Sequence, residues 1–162
     1  SIINVDNMII LDEDNIIYLK ENDVSQELIN YNISSKKEKK LLSLSTKNGK
    51  ISNLLFKNNI IYFLKNNVKE SSICALEIGK DHFQELGSGD LAFGNFILDN
   101  DYILFHGREE WCLYSLNDKK IYSIDFPNIY AYPKYLLINN DILFESDENT
   151  LYLGKIKLKT AN

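Results

Sequence analysis

Short apolar runs with period-two alternation recur along the whole chain, and each is bounded by Asn, Asp, Gly or Lys. β-branched and aromatic residues dominate the runs, which favours strands over helices. In four of them an Asn- or Asp-rich turn leads into a strand, at 15–19, 59–63, 101–105 and 141–144. Successive runs are 44, 42 and 40 residues apart when they are aligned on their fourth residues, Tyr18, Tyr62, Leu104 and Phe144. A near-constant spacing of this length predicts a repeat architecture.

We predict a single domain, residues 1–162, made of four repeats at approximately 7–45, 51–87, 95–125 and 134–158. Each of the first three repeats carries four strands. The fourth ends in a strand at 151–157 and lacks its last strand, whereas the strand 2–5 is left over before the first repeat. If strand 2–5 completes the fourth sheet, the array closes, and closure removes the sheet edges that would otherwise template aggregation.

The repeats resemble β-propeller blades through motifs such as Asn59-Ile60-Ile61-Tyr62-Phe63 and Leu113-Tyr114-Ser115-Leu116-Asn117-Asp118-Lys119-Lys120. A repeat of about 40 residues fits a four-stranded blade. The resemblance implies an all-β, four-bladed propeller whose N-terminal strand completes the last blade, and it implies no particular activity. A two-sheet β-sandwich built from the same hairpins is the alternative.

Charge and composition narrow the classes of partner. The chain carries a net charge of −5, with a single arginine, Arg108, against seventeen lysines. Phosphate contacts need clustered Lys and Arg, so this composition argues against nucleic-acid binding. The longest apolar runs are too short to cross a bilayer, and the first residues show no signal peptide. We therefore predict a monomeric cytoplasmic protein without a membrane partner.

The two cysteines, Cys74 and Cys112, occupy the same position in consecutive repeats. Equivalent positions in neighbouring repeats are expected to lie farther apart than the limit of about 7 Å between Cα atoms that a disulfide allows. We predict two reduced, core-facing thiols and a reducing compartment.

No sequence motif indicates catalysis or a bound cofactor. The histidines, His82 and His106, fall in different strands of adjacent repeats, without a Cys or carboxylate at metal-ligand spacing. The segment Gly87-Ser88-Gly89-Asp90 lacks the Gly-Lys-Ser/Thr that completes a phosphate loop, so a turn explains it. We predict a non-enzyme with no catalytic residue, metal or cofactor.

The propeller resemblance implies a binding face, formed by the loops between second and third strands and by the linkers between repeats. Acidic residues outnumber basic residues there, whereas the turns of the opposite face carry Lys36, Lys37, Lys39, Lys40, Lys119 and Lys120. Trp111 aligns with Leu28 and Ile73, so it is expected to pack inside. The predicted partner-binding residues are Asp23, Glu27, Asp90, Glu109, Glu110, Tyr130, Tyr132, Glu145, Asp147 and Glu148.

An acidic, aromatic face suits a basic protein partner, because complementary charge speeds encounter and aromatic residues supply binding energy. The chain is similar to small bacterial toxin-immunity proteins in its size, acidity and lack of motifs. The leading hypothesis is therefore an immunity protein that caps a basic toxin, for example a nuclease. The alternatives are a carbohydrate- or peptide-binding propeller module of a larger surface protein, in which Tyr130 and Tyr132 stack on the ligand, and a hydrolase that uses carboxylates near a central channel.

Overall fold

The fold comes from a computed structural model. It describes the backbone of residues 7–68, 71–89, 97–99, 101–106, 111–124, 131–137, 141–146, 151–155 and 158–160. It describes the side chains of residues 7–68, 71–88, 101–105 and 111–124. The chain divides into two compact units, unit 1 (Ser1–Ser88) and unit 2 (Gly89–Asn162).

Unit 1 contains two four-stranded antiparallel sheets, and within each sheet the strands lie in chain order. The first sheet consists of β1 (Met8–Ile10), β2 (Asn15–Glu21), β3 (Ser25–Asn32) and β4 (Lys37–Ser45). The second sheet consists of β5 (Lys50–Lys57), β6 (Ile60–Asn66), β7 (Ser71–Glu77) and β8 (Gln84–Gly89). A short 3-10 turn, Thr46–Asn48, connects the two sheets. The all-β prediction is confirmed.

The turns form where the sequence supplies residues that tolerate positive φ. β5 and β6 are joined by Asn58 and Asn59, whose φ angles are 51° and 64°, and Lys57 pairs with Ile60 across the turn. Two consecutive residues with positive φ define the tight hairpin turn that matches strand twist, and Asn adopts this conformation more readily than most residues. The Asn-rich turn that was predicted to lead into the strand at 59–63 is therefore confirmed.

One buried cluster joins the two sheets of unit 1. Ile17 and Leu28 from the first sheet and Ile61, Phe63 and Leu76 from the second are each fully buried in it. Successive strand residues point to opposite faces, so the alternation of apolar residues places one row from each sheet in this shared core. The two sheets thus pack face to face.

The middle strands of unit 1 are also buried on the face that points away from this cluster. Tyr18 and Ile29, which pair across β2 and β3, retain 6% and 3% exposure. Leu64 and Ile73, which pair across β6 and β7, retain 4% and 0%. The near-continuous apolar runs of these strands reflect burial on both faces, as expected when no face is left to solvent.

Unit 2 also contains two antiparallel sheets. The third sheet consists of β9 (Ile97–Asp99), β10 (Tyr102–His106), β11 (Trp111–Ser115), β12 (Ile121–Ile124) and β16 (Leu158–Thr160). The fourth sheet consists of β13 (Ala131–Leu137), β14 (Asp141–Ser146) and β15 (Leu151–Lys155). Ile103, Leu104, Leu113 and Tyr114 in the middle of the third sheet are buried, so these strands too are covered on both faces.

The end of the fourth repeat differs from the sequence prediction. Of the predicted strand 151–157 the structure describes β15 (Leu151–Lys155), and the following described residues form a further strand, β16, that pairs with β12 of the third sheet. The pairing partner of a three-residue strand is set by tertiary contacts, which explains why local pattern missed it. Strand 2–5, which was predicted to close the fourth sheet, lies outside the described residues.

Among the strands that the structure describes, none of the four sheets closes on itself. The face-to-face pair in unit 1 is the arrangement of the two-sheet alternative, and the described strands show no closed ring. The described strands therefore establish an all-β chain of small antiparallel sheets. The repeat boundaries and the single domain remain predictions.

Both cysteines are buried and neither forms a disulfide, as predicted. Cys74 has no exposed surface, and burial raises the pKa of its thiol to about 12. The described part of the chain holds no helix with the length and apolarity needed to span a bilayer.

Candidate partner-binding surface

The turn between β2 and β3 is held in one conformation by its own first residue. The Asn22 side-chain oxygen accepts hydrogen bonds from the backbone N–H of Val24 at 3.0 Å and of Ser25 at 2.9 Å. The Asn22 backbone N–H donates to the Ser25 carbonyl at 2.9 Å. Asn is favoured in turns because its short side chain satisfies nearby backbone donors in this way. Val24 is therefore presented on an ordered turn.

The connection between β4 and β5 packs directly against that turn. The Thr46 backbone N–H donates to the Val24 carbonyl at 3.1 Å, and the Thr46 hydroxyl donates to the Asp23 carbonyl at 3.4 Å. The connection ends at Gly49, whose φ of 123° favours glycine. A Cβ at Gly49 would lie 2.8 Å from the Asn66 carbonyl oxygen, so the connection also meets the end of β6 closely.

The buried side chain of Gln26 in β3 links the start of β5 to the end of β2. Gln26 is 4% exposed, and its side-chain oxygen accepts from the backbone N–H of Ile51 at 2.5 Å. Its amide nitrogen donates to the Glu21 carboxylate at 3.2 Å, and Lys50 contacts the same carboxylate at 2.7 Å. Buried polar groups are costly unless they are paired, so this connected set favours one arrangement of the two strands and their link.

The ion pair with Lys50 sets the ionisation of Glu21. The hydrogen bond from Lys50, followed by that from Gln26, lowers the pKa of the Glu21 carboxyl from its usual value. Both partners are about half exposed, at 62% for the Lys50 side chain and 47% for Glu21. The pair therefore positions the end of β2 and the start of β5 more than it adds stability.

Two large apolar side chains project from this end of unit 1. Val24 is 71% exposed in the β2–β3 turn, and Val68 is fully exposed just after β6. We call residues 22–25, 46–49 and 67–68 the tip surface. Exposed apolar side chains on rigid turns can enter a pocket of a partner protein with little loss of conformational freedom.

The predicted partner-binding residues fall into three groups. Asp23 is exposed on the tip surface, whereas Glu27 is half-buried in β3 and pairs with Lys40 at 3.1 Å. Tyr132 in β13 and Glu145 in β14 stand opposite each other in the strand register, which brings two predicted residues together at the backbone level. The remaining six lie outside the described residues: Asp90, Glu109, Glu110, Tyr130, Asp147 and Glu148.

The charge of the described part of the tip surface is balanced. Asp23 and the adjoining Glu21 are matched by Lys47 and by Lys50. The predicted acidic excess therefore depends on residues that the structure does not describe, and it stays a prediction.

The lysine-bearing turns do not form a separate basic face throughout. Lys40, predicted to lie opposite the binding face, contacts Glu27, which was predicted to belong to it. A bulge explains the contact, because the β3–β4 register shifts between Leu28 and Ile29 and moves Lys40 along the strand.

At the same end as the lysines, Glu38 accepts from the Tyr18 hydroxyl at 2.5 Å and from Lys20 at 3.1 Å. The first of these bonds is the larger cause of the lowered pKa of Glu38. Burial, followed by this bond, raises the pKa of Tyr18 to about 12.

The described ranges bring no group of three or more metal-ligating side chains together. His82 is exposed and its Nδ1 lies 2.9 Å from the Asp81 carboxylate, a contact between chain neighbours at the surface. That contact lowers the pKa of Asp81. Trp111 is half-buried in β11, in line with the expectation that it packs inside.

Sequence reasoning missed Gln26, Val24 and Val68. The available signal for Gln26 was its position in β3, where period-two alternation places it in line with Leu28, a core residue. For the valines, the signal was an apolar residue set among Asn and Asp in a turn.

Neither a protein-family model nor a curated protein matches the chain. The chain is similar in structure to the uncharacterized protein lmo1340 from Listeria monocytogenes EGD-e, with a TM-score of 0.65 and 11% sequence identity. The likeness covers 99% of this chain and 56% of that one, so this chain spans little more than half of its length. A structural similarity at 11% identity indicates a shared fold and gives no information about activity.

Proposed function

We propose that this chain is a non-catalytic protein-binding protein and that the tip surface contacts the partner. The observation that carries the proposal is the exposed Val24 on a turn fixed by hydrogen bonds to Asn22 and Thr46. An exposed apolar residue on a rigid support loses little entropy when it is buried by a partner.

The most concrete form of the proposal is an immunity protein that caps a basic toxin in the bacterial cytoplasm. A toxin that acts on nucleic acid has a basic surface, and an acidic inhibitor is attracted to such a surface. The carboxylates that would supply the attraction are Glu109, Glu110, Asp147 and Glu148, together with Asp23 on the tip surface. The inhibitor acts as a monomer and needs no cofactor, because blocking the toxin's surface requires no chemistry.

The test is copurification with the protein encoded by the neighbouring gene, followed by calorimetry on the purified pair. Val24→Ser is expected to weaken binding by about tenfold, because burying a valine contributes about 1.5 kcal/mol. Ile33→Ser is the matched control, since Ile33 is also exposed, at 47%, but lies in the β3–β4 turn at the other end of the sheet.

A second arm tests the charge. Reversal of Glu109, Glu110, Asp147 and Glu148 is expected to slow association most at low salt, because screening removes long-range attraction. The proposal fails if the neighbouring gene product does not bind, or if Val24→Ser and Ile33→Ser weaken binding equally.

A carbohydrate- or peptide-binding module of a larger surface protein is the second candidate. What favours it is that the similar structure belongs to a chain of which this fold covers 56%. Tyr132, opposite Glu145 in the β13–β14 register, would be a stacking residue there. A hit on a glycan array that Tyr132→Ala abolishes would support the module, and an inactive array together with toxin binding would exclude it.

The same proposal includes the finer architecture, a four-bladed ring. Its support is burial: a two-sheet sandwich leaves its outer faces polar, whereas Tyr18, Ile29, Leu64 and Ile73 are buried on faces that point away from the shared core of unit 1. Deleting residues 2–5 tests the closure. A truncated chain that stays monomeric with unchanged melting would refute the ring.

A further inference from the structure

The outer edge of the third sheet is covered by a strand from a distant part of the chain. β12 pairs with β11 on one side and with β16 on the other, where Tyr122 stands opposite Thr160 and Ile124 opposite Leu158. β4 and β8 hold the same place in their own sheets, and their outer edges pair with no described strand. The edge of β12 therefore accepts an added strand.

The composition of β12 explains why it needs a cover. Its four residues, Ile121–Ile124, carry no charge, whereas β4 begins with the charged run Lys37-Glu38-Lys39-Lys40. Charged side chains on an edge strand discourage pairing with another chain, and an uncharged edge invites it. The first sheet is thus protected by charge and the third by an additional strand.

The covering strand is short, and so is the segment that connects it to β15. β16 has three residues, and only two residues separate it from β15, which belongs to the fourth sheet. A three-residue ladder has few hydrogen bonds, so it belongs to the part of a fold that opens at low free energy. A short connection between sheets restricts how the strand can settle in its own chain, and such links promote exchange between chains.

We propose that β16 is exchanged between two copies of this chain, so that the edge of β12 binds either its own β16 or the β16 of a second copy. The paired residues are the same in both cases. The ratio of dimer to monomer is therefore set mainly by the entropy of the connecting segment and by the protein concentration. The chain is a monomer in dilute solution and forms a strand-exchanged dimer when concentrated. This inference is independent of the proposed toxin or ligand.

The test uses two variants of the full chain that each carry one added cysteine, Tyr122→Cys and Thr160→Cys. They are mixed at high concentration, incubated, mildly oxidised and analysed on a non-reducing gel. A covalent heterodimer is expected, because these positions are opposite each other in the register. The native cysteines are buried, so the unmodified chain should give no covalent dimer under the same conditions.

Two controls keep the result interpretable. Lys120→Cys mixed with Thr160→Cys measures random cross-linking, because Lys120 is exposed and precedes the paired segment. The double variant Tyr122→Cys/Thr160→Cys, oxidised when dilute, should close its disulfide within one chain. Inserting Gly-Ser-Gly-Ser into the link between β15 and β16 is expected to lower the dimer fraction roughly threefold or more.

Two results would overturn the inference. In the first, the double variant closes within one chain while the mixed single variants give no more heterodimer than the Lys120→Cys control, which means that β16 stays with its own sheet. In the second, the double variant also fails to close, which means that Tyr122 and Thr160 are not partners at all.

Discussion

The β4–β5 connection approaches β6 so closely at Gly49 that one added methyl group there should destabilise the fold strongly. Gly49 has a φ of 123° and a ψ of 173°, a conformation that residues with a Cβ rarely adopt. Holding another residue there costs on the order of 1–3 kcal/mol. The new Cβ would also lie 2.8 Å from the backbone oxygen of Asn66. Relieving such an overlap by moving the backbone costs about 1–3 kcal/mol more, so Gly49→Ala should lower the free energy of unfolding by about 2–6 kcal/mol.

The matched control is Gly79→Ala. Gly79 also has a positive φ, of 99°, but a Cβ there would meet nothing within 4 Å. It should therefore show the conformational cost alone, about 1–3 kcal/mol. Urea unfolding followed by circular dichroism gives both values, and thermal melts should shift by about 2–4 °C for each kcal/mol. Equal losses at Gly49 and Gly79, or a loss below about 1 kcal/mol at Gly49, would refute the argument from close approach.

Three further predictions concern buried polar and titratable groups. Gln26→Leu leaves a buried backbone N–H without its acceptor and should cost about 1–3 kcal/mol in urea unfolding, whereas Gln84→Leu at an exposed position should cost little. Tyr18→Phe removes the main cause of the lowered pKa of Glu38, so NMR titration should show that pKa rising toward 4.5. The difference in unfolding free energy between the two proteins should shrink as the pH falls below that value. An unchanged pKa of Glu38 would contradict the assignment. The pKa of Cys74 in the folded chain, about 12, exceeds its ordinary value of 9.0, so its contribution to stability is complete below pH 9 and is lost as the pH rises toward 12. Cys74→Ala should therefore reduce the fall in unfolding free energy at alkaline pH. An identical fall in the variant would contradict the assignment.

The strands were predictable where the residues that determine them are neighbours in the sequence. Asn58 and Asn59 specify a tight turn, and the apolar alternation on either side specifies β5 and β6. β16 was not predictable, because three residues carry no measurable period and their strand state depends on the uncharged edge of β12. The apolar–polar alternation therefore identified most strands of the repeats, but it did not predict β16 or the sheet that β16 joins.

The candidate surface was predictable only in part. Loop position correctly placed Asp23 on an exposed turn. The inward role of Gln26 depends on the backbone of Ile51 in a different sheet, and no local signal encodes that contact. The pairing of Glu27 with Lys40 depends on a bulge, which shifts the register by one residue without any Gly or Pro to mark it.

The burial of the middle strands on both faces has a consequence for how relatives of this chain can diverge. Positions such as Ile17, Ile29, Phe63 and Ile73 accept few alternatives, because each faces packed neighbours and a polar replacement would have no water to reach. Variation is then confined to turns and outer strands, where Val24 and Val68 are exposed. Homologues should therefore keep an almost invariant apolar framework while their turn residues drift rapidly. Such a scaffold can acquire a new binding specificity through exposed turn residues such as Val24, whose replacement leaves the buried framework intact.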